Sequence, residues 1–127
     1  MLAKALSFAL TGLEAYPITI EADVAQGLPF VALIGLPDNS VKESRERVRL
    51  AIKNSGFRFP LGRVTLNLAP AELKKEGPSF DLAIALSVLA CSEQLPADKL
   101  SSYAFLGELS LDGRKGSRSS FRHAKSA

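Results

Sequence analysis

Residues 30–56 read FVALIGLPDNSVKESRERVRLAIKNSG, and two different periods meet inside them. Phe30 to Ile34 is a continuous apolar run between Pro29 and Gly35, which predicts a strand covered on both faces. Ser40-Val41-Lys42-Glu43 then has the S-x-x-E form of a capping box, in which hydroxyl and carboxylate satisfy free backbone N–H groups, so a helix is predicted to begin there. Val41, Ser44, Val48, Ile52 and Ser55 fall at helical spacing on one side, and Lys42, Glu46, Arg49 and Lys53 on another. Gly56 supplies the left-handed stop. Val64, Leu66 and Leu68, alternating with Arg63, Thr65 and Asn67, predict a strand that Pro70 ends. Strand, helix and strand in this order point to α/β layering.

The flanking segments extend the pattern. Leu6, Phe8 and Leu10 alternate with Ser7 and Ala9, and Ile18, Ile20, Ala22 and Val24 alternate with Thr19, Glu21 and Asp23; both runs read as half-buried strands, antiparallel across Gly12. A second, buried helix is expected from Leu82, Ala85, Leu86, Leu89 and Ala90, with Gly77 as its cap, Pro78 at its first position and Asp81 at the positive end of its dipole. Tyr103 to Leu106 and Leu109 to Leu111 read as two further strands, the second closed by Asp112-Gly113.

The chain has 127 residues, 46% hydrophobic and 23% charged, enough for one domain with its own core. Its formal charge of +3 is unevenly spread. Residues 1–113 carry 11 Lys and Arg against all 13 Asp and Glu, whereas residues 114–127 hold Arg114, Lys115, Arg118, Arg122 and Lys125 and no acid. Residues 115–127 therefore read as a basic, disordered tail, too poor in apolar groups to order itself. Cys91 is the only cysteine, so no intrachain disulfide forms, which suits a reducing compartment. The longest apolar stretch, Leu82 to Cys91, is far short of the ~20 residues that span a bilayer. A cytoplasmic protein without a membrane partner is expected.

Several ordered runs resemble one family: Gly27-Leu28-Pro29, Gly35-Leu36-Pro37-Asp38, Val41-Lys42-Glu43-Ser44-Arg45-Glu46-Arg47-Val48-Arg49, and Thr65-Leu66-Asn67-Leu68-Ala69-Pro70-Ala71. Lys75-Glu76-Gly77-Pro78-Ser79-Phe80-Asp81-Leu82, Leu106-Gly107-Glu108-Leu109 and Leu111-Asp112-Gly113-Arg114 continue it. Residues 1–114 are similar to the N-terminal domain of the bacterial Mg-chelatase-like AAA+ ATPases, the ComM (YifB) competence-protein family. The resemblance implies an α/β (α+β) fold of the Lon-protease-like, ribosomal-protein-like kind, a mixed sheet packed with two helices. It also implies a parent protein similar to a hexameric DNA helicase, with ATP and Mg2+ needed only by its ATPase module. No G-x-x-x-x-G-K-[ST] occurs in these 127 residues, so no phosphate-binding loop of that kind is present. After Arg114 the sequence departs from the family, as expected of a truncated or frameshifted reading frame or, alternatively, of a genuine short paralogue.

Three chemistries follow for comparison. Gly77-Pro78-Ser79 resembles the segment that holds the nucleophilic serine of Lon, which makes Ser79 a candidate for a Ser-Lys peptidase. The lysine that would serve as base falls in the departing tail near Arg122, whose guanidinium stays protonated and cannot accept the serine proton. Lys42, Arg45, Arg49 and Lys53 form a helical stripe able to meet DNA phosphates or another subunit, although Glu46 interrupts it and Glu43 and Arg47 form an i,i+4 pair. The tail alone could act as a small basic nucleic-acid binder, but Phe121 is its only aromatic. His123, Cys91, Glu72, Glu76 and Asp81 lack recognised metal-ligand spacing, so no metal site is expected. The sequence thus predicts a non-catalytic accessory domain without cofactor, partnered by copies of itself, by a hexameric ATPase ring or by DNA.

Overall fold

In the computed structural model, residues 2–11, 13–70, 77–109 and 124–125 are described. Strands β1 (Ala3–Thr11) and β2 (Glu14–Ala25) form the antiparallel pair expected, in register from Ala3 opposite Ala22 to Thr11 opposite Glu14. β3 (Phe30–Ile34), helix α1 (Asp38–Asn54) and β4 (Arg63–Ala69) make the strand–helix–strand unit, with β3 and β4 parallel neighbours. A 3-10 turn, Gly77–Phe80, leads into α2 (Asp81–Cys91). β5 (Tyr103–Ala104) lies parallel to β1, and β6 (Ala124–Lys125) lies antiparallel to β5. The sheet order is β3-β4-β2-β1-β5-β6. It is a mixed sheet packed with two helices, an α+β arrangement as the sequence predicts.

The core lies between one face of this sheet and the helices. Ile18, Ile20 and Ala22 of β2 and Val64, Leu66 and Leu68 of β4 point into it with Ala3, Ala5 and Ala9 of β1. On β1 the small residues face inward, while Leu6 and Phe8 are half-buried on the other face. The cause is α2, which packs directly against β1 and β2 and whose residues are buried on almost every side. A helix can approach a sheet that closely only where the strand beneath offers small side chains.

Several local expectations are corrected. β3 is not covered on both faces: it is an edge strand, and Phe30 and Ile34 are 50% and 52% exposed. Helix α1 starts at Asp38 rather than Ser40, without a side-chain cap; the Pro37 carbonyl instead accepts from the Ser40 N–H at 2.9 Å. Pro37, extended at ψ 145°, already aims the chain into the helix, which leaves Ser40 inside the first turn. Gly77 and Pro78 belong to the 3-10 turn, so α2 starts at Asp81. Only Tyr103 and Ala104 of the Tyr103–Leu106 run form a strand. The irregular segment after them brings the Gly107 N–H to the Ser79 carbonyl (2.9 Å) and the Leu82 N–H to the Gly107 carbonyl (3.1 Å). Most of the Leu109–Leu111 strand, the Asp112-Gly113 turn and the tail lie outside the described residues, apart from Ala124–Lys125.

Two positions make the fold testable. Gly35, at φ +105°, turns the chain from β3 into α1, and a Cβ there would collide with the Leu68 carbonyl oxygen. Gly35→Ala is expected to lower unfolding stability by more than about 2 kcal/mol, combining left-handed strain with that collision. Ser7 is fully buried with no hydrogen-bond partner for its hydroxyl among the described residues. Ser7→Ala is therefore expected to leave stability unchanged or raise it by about 1 kcal/mol, because an orphaned buried hydroxyl carries an uncompensated desolvation cost. Urea denaturation followed by circular dichroism measures both; a Ser7→Ala loss of similar size to the Gly35→Ala loss would contradict the second expectation.

Candidate functional site

Helix α1 sorts its charges into two sets. Ser44, Val48, Ala51 and Ile52 are buried, and Lys42, Arg45, Arg49 and Lys53 lie together on the opposite side, as the spacing predicts. Lys42 and Lys53 are exposed. The other two stripe residues are engaged: Arg49 Nη2 bonds Glu46 Oε1 at 2.6 Å, and Arg45 Nη1 donates to the Val31 carbonyl at 3.3 Å. The structure therefore keeps the stripe but leaves only its two lysines without a protein hydrogen bond or ion pair among the described residues.

The strongest electrostatic feature lies at the edge of the buried side. Asp81, the first residue of α2, is fully buried. Arg47 reaches it with a forked contact, Nε to Oδ2 at 2.6 Å and Nη2 to Oδ1 at 3.3 Å. The Ser44 hydroxyl donates to Oδ1 at 3.1 Å, and the Leu109 N–H to Oδ2 at 3.5 Å. The expected Glu43–Arg47 pair exists at 3.6 Å but on an exposed carboxylate, so the guanidinium's shorter bonds go inward. Burial pushes the Asp81 carboxyl above the usual carboxylate range, against the pull of Arg47, Leu109 and Ser44; the hydrogen bond to Asp81 pushes Arg47 up. A helix-end charge was legible at Asp81 in the sequence, but its burial and its partner 34 residues away were not. The Lon-like serine and the S-x-x-E pattern point elsewhere.

Ser79 sits half-buried in the 3-10 turn, two residues before Asp81, its backbone carbonyl accepting from Gly107. The Asp81 oxygens accept from Arg47, Ser44 and Leu109, and Arg47 is a guanidinium that stays protonated. Cys91 is buried at the end of α2, with its thiol pushed up to about 11 by burial. An apolar cavity of about 220 Å³ lies between the end of α1 and α2, lined by residues such as Ile52, Phe57, Leu86 and Leu109. Among the described residues no group of three or more His, Cys, Asp and Glu could hold a metal ion, and no helix is long and apolar enough to cross a membrane. His123, Glu72, Glu76 and Arg122 lie outside the described residues.

Removing one partner of the buried pair tests its weight. Arg47→Ala is expected to cost about 3–5 kcal/mol of unfolding free energy, whereas Arg47→Met with Asp81→Leu recovers most of it. The Arg47→Ala cost has a definite pH dependence. Without the guanidinium the folded-state pKa of Asp81 rises further above its unfolded value, so the folded form binds the proton more readily. Stability of the variant is then greatest below the ordinary carboxylate range and falls as pH rises through the raised value. Denaturant melts between pH 4 and 8 read this directly. Cys91 in the folded protein is expected to resist a thiol reagent at pH 8 and to react on unfolding, which a timed colorimetric assay follows.

Comparison with known proteins gives the family. Residues 20–123 match the family model described as subunit ChlI of Mg-chelatase. The chain is 52% identical over 105 residues to the uncharacterized protein YifB of Escherichia coli (strain K12), covering 83% of this chain and 21% of the relative. Its identity to YifB of Salmonella typhimurium is 53% over the same length, with the same coverage. With the competence protein ComM of Haemophilus influenzae it shares 47% over 113 residues, 89% of this chain and 22% of that protein. The chain thus spans about a fifth of the length of the curated relatives it matches. With most of its length matched by the family model and half of the aligned residues identical to these relatives, the chain belongs to the Mg-chelatase ChlI family.

Proposed function

We propose that this chain is a non-catalytic accessory domain, or fragment, of a ComM- and YifB-like ATPase that processes DNA during competence and recombination in the cytoplasm. The observation that carries this reading is the alignment itself: nearly all of the chain corresponds to about a fifth of each relative. ATP and Mg2+ would then be handled by the part of such proteins that this chain does not span. A domain of this kind supports assembly of the ATPase ring or guides DNA to it, and the α1 stripe with exposed Lys42 and Lys53 is the surface suited to either task. The engagement of Asp81 by Arg47, Ser44 and Leu109 supports a structural rather than catalytic centre. A Lon-type peptidase using Ser79 would need a proton acceptor beside that hydroxyl, and a basic-tail binder would need no folded domain at all.

The purified chain is expected to turn over no ATP, to leave Ser79 unlabelled by a fluorophosphonate probe, and to self-associate in sedimentation runs. ATP hydrolysis by the chain, or labelling abolished by Ser79→Ala, would overturn the reading. DNA affinity that disappears when Arg114, Lys115, Arg118, Arg122 and Lys125 are replaced by serine would favour the tail.

A further inference from the structure

Strand β3 ends the sheet on one side, and among the described residues no strand pairs with its outer edge. The Phe30 N–H donates to the Gly62 carbonyl at 3.2 Å, just before β4. By the alternation of a strand, Phe30, Ala32 and Ile34 then turn their backbone groups to β4, and Val31 and Leu33 turn theirs to the open edge. Two N–H and two C=O groups face outward there. One of the four is covered, the Val31 carbonyl, which accepts from Arg45 at 3.3 Å. The strand itself, Phe30-Val31-Ala32-Leu33-Ile34, holds no charge, proline or glycine, the composition that pairs edge to edge when exposed.

The side chains select the partner. Phe30, Ala32 and Ile34 share the sheet face away from the helices, where Phe30 and Ile34 are half exposed. They stand symmetrically about Ala32, one large apolar residue two places to either side of a small one. Turned antiparallel about Ala32, the strand therefore matches itself. Val31 exchanges both backbone bonds with Leu33 of the second copy, Phe30 packs beside Ile34 of the second copy, and the two Ala32 residues meet at the axis as a non-hydrogen-bonded pair. An unrelated strand would need this spacing by chance, whereas a second copy has it by symmetry.

We propose that the β3 edge is a contact between two copies of this chain, joining their sheets through antiparallel β3 strands with Arg45 as its gate. Arg45 leaves the Val31 carbonyl when the Leu33 N–H of the second copy takes its place. The two guanidiniums are also like charges at one seam, so Arg45 restrains the contact. The inference adds a surface for the self-association in the proposed function, and it rests on that reading.

Sedimentation equilibrium of the full chain tests the contact. Wild type is expected to form a reversible dimer, Arg45→Gln to associate about ten-fold more tightly, and Phe30→Glu and Ile34→Lys each to weaken the dimer about ten-fold. Phe30→Glu combined with Ile34→Lys should recover association above either single variant, and lose that recovery in high salt, because the axis sets opposite charges side by side. Ala32→Cys is expected to cross-link under mild oxidant, since the paired Cα atoms would stand about 4.5 Å apart. Ile34→Cys, about 13 Å from its own counterpart, is expected not to. Buried Cys91 is common to both variants and serves as the internal control. Unchanged thermal melts show that the variants remain folded. A dimer that none of the edge variants alters, or that cross-links through Ile34→Cys and not through Ala32→Cys, overturns this contact and leaves self-association standing. Monomers alone, in wild type and Arg45→Gln alike, overturn both.

Discussion

A carboxylate with no access to water begins α2, and the packing around it follows from the need to satisfy that charge. Taking Asp81 out of water costs several kcal/mol unless its charge and lone pairs are met. Arg47 and Ser44 meet them from α1, and the Leu109 backbone from the segment after β5. Three parts of the chain, far apart in sequence, are thereby held at one point. This also explains an otherwise odd feature of α1, a serine and an arginine on the border of its buried side. The N-terminal end of the α2 dipole adds to the welcome for a negative charge.

Around that point the rest is a matter of how closely layers approach. α2 is apolar nearly all round, so it belongs inside, and it lies over the strands where β1 presents Ala3, Ala5, Ser7 and Ala9. Its one internal hydroxyl, on Ser87, is satisfied by the Ala83 carbonyl at 2.8 Å. With both helices on one side, the other face of the sheet is lined by the half-buried Leu6, Phe8, Thr19, Thr65 and Asn67. The edge strand β3 is guarded by a charged side chain, as exposed edges commonly are.

The same helix therefore serves two kinds of electrostatics. Facing inward, Arg47 compensates a buried charge, and its worth is structural. Turned toward β3, Arg45 lies over the Phe30 ring and donates to the Val31 carbonyl. The two arginines answer to different partners, so each can be removed without touching the other's contacts.

Much of the architecture could be read from local pattern. The β1–β2 pair, the strand–helix–strand unit, the buried second helix and the basic stripe on α1 all follow from periodicity and from glycine and proline punctuation, because neighbours along the chain decide them. Phe30 to Ile34 reads as covered on both faces because an apolar run does not show how many layers flank its sheet; the placement of both helices on one side, a long-range property, leaves Phe30 and Ile34 exposed on the other. Asp81 was legible as a helix-end acid, yet nothing local marks its burial, since that depends on where α1 and Leu109 arrive. Arg45 and Arg47, two positions apart on one helix, are both arginine in the sequence and both half-buried; only packing turns one toward the β3 edge and the other toward Asp81, because each answers to the partner that the fold brings within reach.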